Sequence, residues 1–207
     1  MNKFKIKKFL HYLKNNKKRI LITYIFMFGA LIVFLAIDQI TKNLLFSHGA
    51  ISTLNNHQVQ FSDGSYKDAE SIYPGSDKWI NYVIIGVRSI WHGGITFAKT
   101  RNTNLIQTIS ILLFILIFCY GFFIERKNKT RAILIGCILA GDLGNALDRF
   151  IFAGYVKDIF YIPFVHSNGT FNFADALIFS GIIGLLITLL IPSKHNHNYK
   201  RHQEAIL

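Results

Sequence analysis

The chain has 207 residues, 51% of them hydrophobic, a net charge of +12 and a positive mean hydropathy. A soluble domain of this length rarely combines these values, so an all-α polytopic membrane protein is expected. The positive charge follows from the topology below and gives no support to nucleic-acid binding, which calls for a folded basic domain or a stacking platform.

The first nineteen residues carry eight Lys/Arg and no acid. Within them Ile6, Phe9, Leu10 and Leu13 recur at helical spacing between lysines. That pattern fits a short helix lying on an anionic membrane surface, and equally a basic tail that only sets topology. Residues 20–37 follow without a charge, a stretch long enough to cross about 30 Å of hydrocarbon. A basic start before an apolar run also marks secretory signal peptides. Here the run is too long and no small-x-small cleavage site precedes Asp38, so a retained first helix is expected.

At the outer end of this span, Asp38-Gln39-Ile40-Thr41-Lys42 puts Asp38 and Lys42 at i and i+4, on one helix face and able to pair. The pair suits a site, and equally a helix-end ion pair that fixes depth in the membrane. Residues 47–78 are rich in Asn, Ser, Asp and Gly and read as loop or insertion, with nothing that suggests a site. Residues 79–100 are rich in β-branched and aromatic residues broken by Gly86 and Gly93-Gly94, which predicts a small extracytoplasmic β element of short strands and tight turns. Its Trp79, Tyr82 and Trp91 suit an interfacial aromatic belt.

Residues 105–124 form a second uncharged span, 132–147 a shorter third that contains Asp142, and 174–191 a fourth that opens on Asp175. Cys119 and Cys137 both fall inside spans, where a thiol behaves as a small apolar residue. Basic residues gather in the first nineteen positions, at 125–131 and after Pro192, and four spans bring all three clusters to one side. The excess of Lys/Arg makes that side cytoplasmic, so both termini face inward while 39–104 and 150–172 face outward.

Charged residues are costly within lipid and turn toward protein or water. In Gly141-Asp142-Leu143-Gly144-Asn145-Ala146-Leu147-Asp148-Arg149, helical spacing places Asp142, Asn145 and Arg149 along one face, and Gly144 permits close helix approach. Asn145 offers an uncharged donor and acceptor of the kind that orients a substrate amide; an Asp148/Arg149 network with a purely structural role is the other reading. Asp158 follows Arg149 by nine residues and Asp175 comes seventeen later. If the connection folds back, the two carboxylates meet at the membrane boundary. Like charges that close cannot easily both ionise, so one would keep a proton and act as acid while the other activates water. Without that fold-back, Asp158 is a loop acid and Asp175 a helix N-terminal residue.

Four pieces, in this order and each at the edge of a span, resemble the lipoprotein signal peptidase (signal peptidase II) family. They are Asp38-Gln39-x-Thr41-Lys42, Gly144-Asn145-x-x-Asp148-Arg149, Val156-x-Asp158 and Phe171-Asn172-x-Ala174-Asp175. The resemblance runs from about residue 20 to residue 191 and implies a single four-helix membrane peptidase domain over 20–191. An outer insertion at 47–104 interrupts it, and basic cytoplasmic segments at 1–19 and 192–207 flank it. It implies an aspartic endopeptidase that removes the signal peptide from a prolipoprotein, cutting before a cysteine that carries diacylglycerol. The catalytic pair corresponds to Asp158 and Asp175. Substrate-binding or site-supporting residues correspond to Asp38, Lys42, Asn145, Asp148, Arg149 and Asn172.

The resemblance also implies no cofactor and no metal. The partners are the lipidated prolipoprotein and membrane lipids, and the place is a bacterial cytoplasmic (inner) membrane with the active site at the outer face; the sequence does not fix the oligomeric state, a monomer being the default. One departure stands out: the family's Asn-x-Gly-x-x-Phe motif is matched by His92-Gly93-Gly94-Ile95-Thr96-Phe97, with His92 in place of Asn. His keeps hydrogen-bonding capacity but titrates near neutral pH. That change keeps in view a catalytically silent relative that binds lipoprotein or signal-peptide segments without cleaving them. A small transporter is the other alternative. The polar residues gather at the outer ends of the spans, which leaves no continuous path across.

Overall fold

In the computed structural model, residues 3–47, 50–51, 58–60, 64–68, 79–94, 102–124, 128–164 and 169–190 are described. The basic start forms helix α1 (Lys3–Asn15), and α2 (Lys17–Leu45) follows after a single-residue break. At 29 residues α2 is about 43 Å long and outruns the ~30 Å hydrocarbon core, so Asp38 and Lys42 lie at its far end. Helix α3 (Thr103–Tyr120) starts at Asn102, whose Oδ1 accepts from the Leu105 amide at 3.1 Å, and ends in a 3-10 turn, Gly121–Phe123. Helices α4 (Lys129–Ile151) and α5 (Phe173–Leu190) complete four helices long and apolar enough to span a membrane. The four expected spans are thus all present. The largest extension is that of α2, which carries the first span beyond Ile37 as far as Leu45, and α4 carries the third beyond Leu147 to Ile151.

Helix α4 is the centre of the bundle. About 61% of its span is buried by protein, against 11–17% for the other three. Its composition explains this, because small residues let neighbours close in. A Cβ at Gly141 would collide with the Ala174 carbonyl of α5, and one at Gly144 would sit 2.5 Å from Asp38 Oδ2 of α2. Met27, Leu31, Ile135, Leu139, Ala140 and Leu177 fill the core around it. The outward faces of α2, α3 and α5 expose Ile, Leu and Phe, as lipid contact requires.

Two antiparallel sheets lie between the helices in sequence. The polar stretch read as loop carries a three-stranded one, β1 (Ala50–Ile51), β2 (Gln58–Gln60) and β3 (Tyr66–Asp68), in the order β1-β2-β3. Its strands are two or three residues long, too short for alternation to show in the sequence. The second sheet has the order β4-β5-β6-β7: β4 (Ile80–Asn81), β5 (Gly86–His92), β6 (Val156–Tyr161) and β7 (Thr170–Phe171). The predicted outer β element therefore recruits two strands from the connection between α4 and α5. Ile90 pairs with Asp158, Trp91 with Lys157 and His92 with Val156.

Trp91 corrects the aromatic-belt expectation. It is 3% exposed, wedged between Phe46 and Phe152 with ring centroids 4.6 and 5.0 Å away. Residues 95–101, 125–127 and 191–207, which include Thr96, Phe97 and much of the two inner basic clusters, lie outside the described residues.

Candidate active site

The site forms where the outer ends of α2, α4 and α5 meet strand β6. The turn after α4 delivers the strand. Ala153 and Gly154 both adopt positive φ, 52° and 95°, and the Gly154 amide donates to the Arg149 carbonyl at 2.8 Å. A glycine meets that conformation at low cost. Once the chain has turned, the Lys157 amide donates to Asp148 Oδ2 at 3.1 Å, which ties β6 to the end of α4 and places Asp158 beside the helices. Asp158 is thus a strand residue, and the fold-back on which the paired reading depended is present.

The deepest layer is ionic. Lys42 Nζ lies 3.0 Å from Asp38 Oδ2, 3.0 Å from Asp148 Oδ2 and 3.0 Å from Asn145 Oδ1, so its three protons have three acceptors. Lys42, Asp38 and Asp148 are all 1% exposed or less. The second oxygen of Asp38 accepts from the Ala174 amide at 2.8 Å, which binds α5 to α2. A buried lysine between two carboxylates is tolerable because all three of its protons are engaged. The Asp38/Lys42 pairing read from i,i+4 spacing is therefore present, with Asp148 as a second carboxylate. Arg149, the sequence partner suggested for Asp148, instead donates weakly to the Gly94 carbonyl at 3.5 Å.

Two asparagines connect this layer to the remaining carboxylates. Asn145 Oδ1 accepts from Lys42 and, at 3.0 Å, from Asn172 Nδ2, while its own Nδ2 donates to Asp175 Oδ1 at 2.8 Å. Asn172 Nδ2 also donates to Asp158 Oδ1 at 2.8 Å. At the start of α5, Asn172 Oδ1 accepts from the Asp175 amide at 2.9 Å and Asp175 Oδ2 accepts from the Asn172 amide at 3.1 Å. That is a reciprocal capping box with Asn and Asp at its two positions. One residue, Asn172, thus holds Asp158 through its side chain and Asp175 through its backbone.

Asp158 is 3% exposed. Burial, and after it the charge of Asp175, push its carboxyl well above the usual carboxylate range; Lys42, the Asn172 hydrogen bond and Arg149 pull the other way. Asp175 is only half-buried, so the pair opens on Asp175's side. Arg149 sits in the field of Asp175, Asp158, Asp142 and Asp148 together.

The structure divides the face predicted to carry Asp142, Asn145 and Arg149. Asn145 turns to the carboxylates, while Asp142 faces α3 and accepts from Ser110 Oγ at 2.5 Å. His92 is half-buried on β5, two residues along from the partner of Asp158 and so on the same face of the sheet. Gln107 of α3, which donates from Nε2 to the Ala146 carbonyl at 3.4 Å, was not among the predicted residues. Its signal in the sequence was weak: Gln107 and Ser110 are polar residues at i and i+3 in an uncharged span, with Thr108 between them.

Against this geometry stand the comparisons with known proteins. Two solved structures, each described as a bacterial membrane enzyme determined by the in meso method, share the fold. One, at 1.9 Å resolution, has a TM-score of 0.59 over 81% of this chain and 94% of its own, with 19% identity. The other, at 2.3 Å, has a TM-score of 0.57 over 79% and 87%, with 20% identity. The lipoprotein signal peptidase of Borrelia turicatae is 28% identical over 59% of this chain and 87% of its own. That of Serratia marcescens is 32% identical over 53% and 66%. That of Microcystis aeruginosa is 34% identical over 46% and 61%, so the chain spans about three fifths of this last relative's length. The pattern described as signal peptidase (SPase) II matches residues 30–191, which contain every residue of the carboxylate layers, and the chain belongs to that family.

Proposed function

We propose that this chain is an aspartic endopeptidase of the membrane that removes the signal peptide from diacylglyceryl-modified prolipoproteins, with Asp158 and Asp175 as its catalytic pair. The observation that carries the reading is the bridge. Asn172 donates to both carboxylates, at 2.8 and 3.1 Å, and neither has a cation within hydrogen-bonding distance among the described residues. Two acids held together without a counter-ion share a proton more readily than they tolerate two charges.

Asp158 is the group that keeps the proton, because it is the deeper of the two and burial disfavours its charged form. Asp175 takes a proton from water, and the oxygen attacks the scissile carbonyl carbon while Asp158 hydrogen-bonds and then protonates the developing oxyanion. The C–N bond then breaks as Asp175 passes its proton to the departing amine of the lipidated cysteine. Collapse of the diol returns a proton to Asp158, leaving a free carboxylic acid and a free amine. Asn145 and Asn172 act as positioning residues, since the groups that point at the pair are already spent on holding it. Asp38, Lys42 and Asp148 support them from below. A dyad at one end of four spans suits a substrate whose acyl chains remain in the bilayer, and the distribution of Lys/Arg supports the reading that this end faces outward from a bacterial inner membrane with both termini cytoplasmic.

The deciding experiment is a gel-shift assay on a diacylglyceryl-modified prolipoprotein with wild type, Asp158→Asn and Asp175→Asn in detergent or lipid. Cleavage by wild type and by neither variant is expected. A variant that still cleaves would overturn the pair, and a wild type that cleaves none of several well-formed prolipoproteins would favour the silent relative.

A further inference from the structure

The geometry points to Gln107 as a substrate-positioning residue: its Oε1 accepts from a main-chain N–H of the bound signal peptide between α3 and α5. The inference rests on the peptidase reading for the identity of the peptide.

Positions on α4 turn by about 100° per residue. Gly141 faces α5, and Asp142 and Ala146 face α3 through Ser110 and Gln107. Asn145 and Arg149 fall between those two directions, on the strip of α4 that has α5 with Asp175 on one side and α3 on the other. The Asp142–Ser110 contact lies about one helical turn further in.

Two buried polar atoms at this strip, Gln107 Oε1 and Arg149 Nε, have no hydrogen-bond partner among the described residues. Their remaining contacts are long, 3.4 Å from Gln107 Nε2 to the Ala146 carbonyl and 3.5 Å from an Arg149 nitrogen to the Gly94 carbonyl. The amide orientation of Gln107 is fixed by that carbonyl: Nε2 must face it, because two oxygens would repel, and Oε1 is turned away. One acceptor and one donor are thus held ready where lipid can satisfy neither, and an unmade bond there is costly. A peptide presented to the dyad must leave helical pairing around the scissile bond, which strips its own N–H and C=O groups of partners. Gln107 Oε1 meets the first need and Arg149 Nε the second.

The test is a cycle between Gln107 and the substrate backbone. Synthetic diacylglyceryl prolipopeptides, each N-methylated at one residue before the cleavage site, are measured for affinity to the full chain carrying Asp175→Asn, with and without Gln107→Met. A Met side chain keeps the volume and removes both polar atoms. One N-methyl position is expected to weaken binding about tenfold when Gln107 is present and less than twofold when Met replaces it. Gln107→Glu, which keeps an acceptor oxygen, restores most of the penalty. N-methyl penalties that are the same with Gln107 and with Met overturn the inference. So does a scan on the protein that retains Gln107 in which no position loses affinity, and that result needs no folded Gln107 variant. Cleavage of the unmodified prolipopeptide by the wild type is read separately, so the peptidase reading and the role of Gln107 fail independently.

Discussion

Two pairs of aspartates lie within one hydrogen-bonded cluster, and their surroundings differ in kind. Asp38 and Asp148 share Lys42, whose ammonium bonds to both at 3.0 Å, and all three side chains are sealed. Asp158 and Asp175 share only amides, from Asn145 and Asn172, and one of the two is half-exposed. A shared cation makes the first pair a fixed strut. On the proposed reading, the lack of one makes the second pair a place where a proton can move, so that the same residue type takes a structural or a chemical part according to whether a cation or an amide completes its shell.

The comparison is broken most severely at the second pair. Asp175→Asn keeps the size and one of the two acceptor oxygens while removing the base, so kcat for prolipoprotein cleavage is expected to fall by about 10³-fold or more with the folded protein retained. A loss below tenfold would show that the two pairs do not differ as argued. The converse applies to Lys42→Met, which strips the cation from two sealed carboxylates. It is expected to destabilise by about 3–5 kcal/mol, read as thermal unfolding in detergent, because an uncompensated buried charge remains. A Lys42→Met protein of wild-type stability would mean that the strut carries no load.

The contact between helices that supports the strut gives a smaller effect. At Gly144 an added Cβ would lie 2.5 Å from Asp38 Oδ2 and 3.4 Å from the Ala174 Cβ. Gly144→Ala is expected to cost about 1–3 kcal/mol by the same measurement, since the Asp38 carboxylate, held by Lys42 and the Ala174 amide, must shift. Equal stability would show that the carboxylate has room to rotate.

Much of this was legible in the sequence for identifiable reasons. Uncharged runs of 18–20 residues can do little but span, and Asp38/Lys42 at i,i+4 can do little but pair. The carboxylate pair was legible only conditionally, because its meeting depends on how 150–172 folds. Strands β6 and β7, paired through residues distant in sequence, have no periodicity long enough to declare themselves. Nor could the sequence give Asp148 to Lys42 in preference to its neighbour Arg149, since that choice is made by which face of α4 meets α2. Gln107 was missed because an uncharged polar residue in a span is ordinary until the atom it leaves unpaired is seen.

The finest probe of the difference between the pairs is pH. Burial raises the carboxyl of Asp158 far above its value of about 3.9 in an unfolded chain. The folded state therefore binds the Asp158 proton more tightly than the unfolded state does. Stability from this group is fully present below the unfolded value and is lost as pH rises toward the folded one. Asn at this position never ionises and keeps the oxygen that accepts from Asn172. Asp158→Asn should therefore match wild type in thermal midpoint near pH 4 and exceed it at pH 8, although it no longer cleaves. The opposite order, with wild type the more stable at pH 8, would mean that Asp158 carries its charge in the folded protein. The acid and base roles would then have to be exchanged between Asp158 and Asp175.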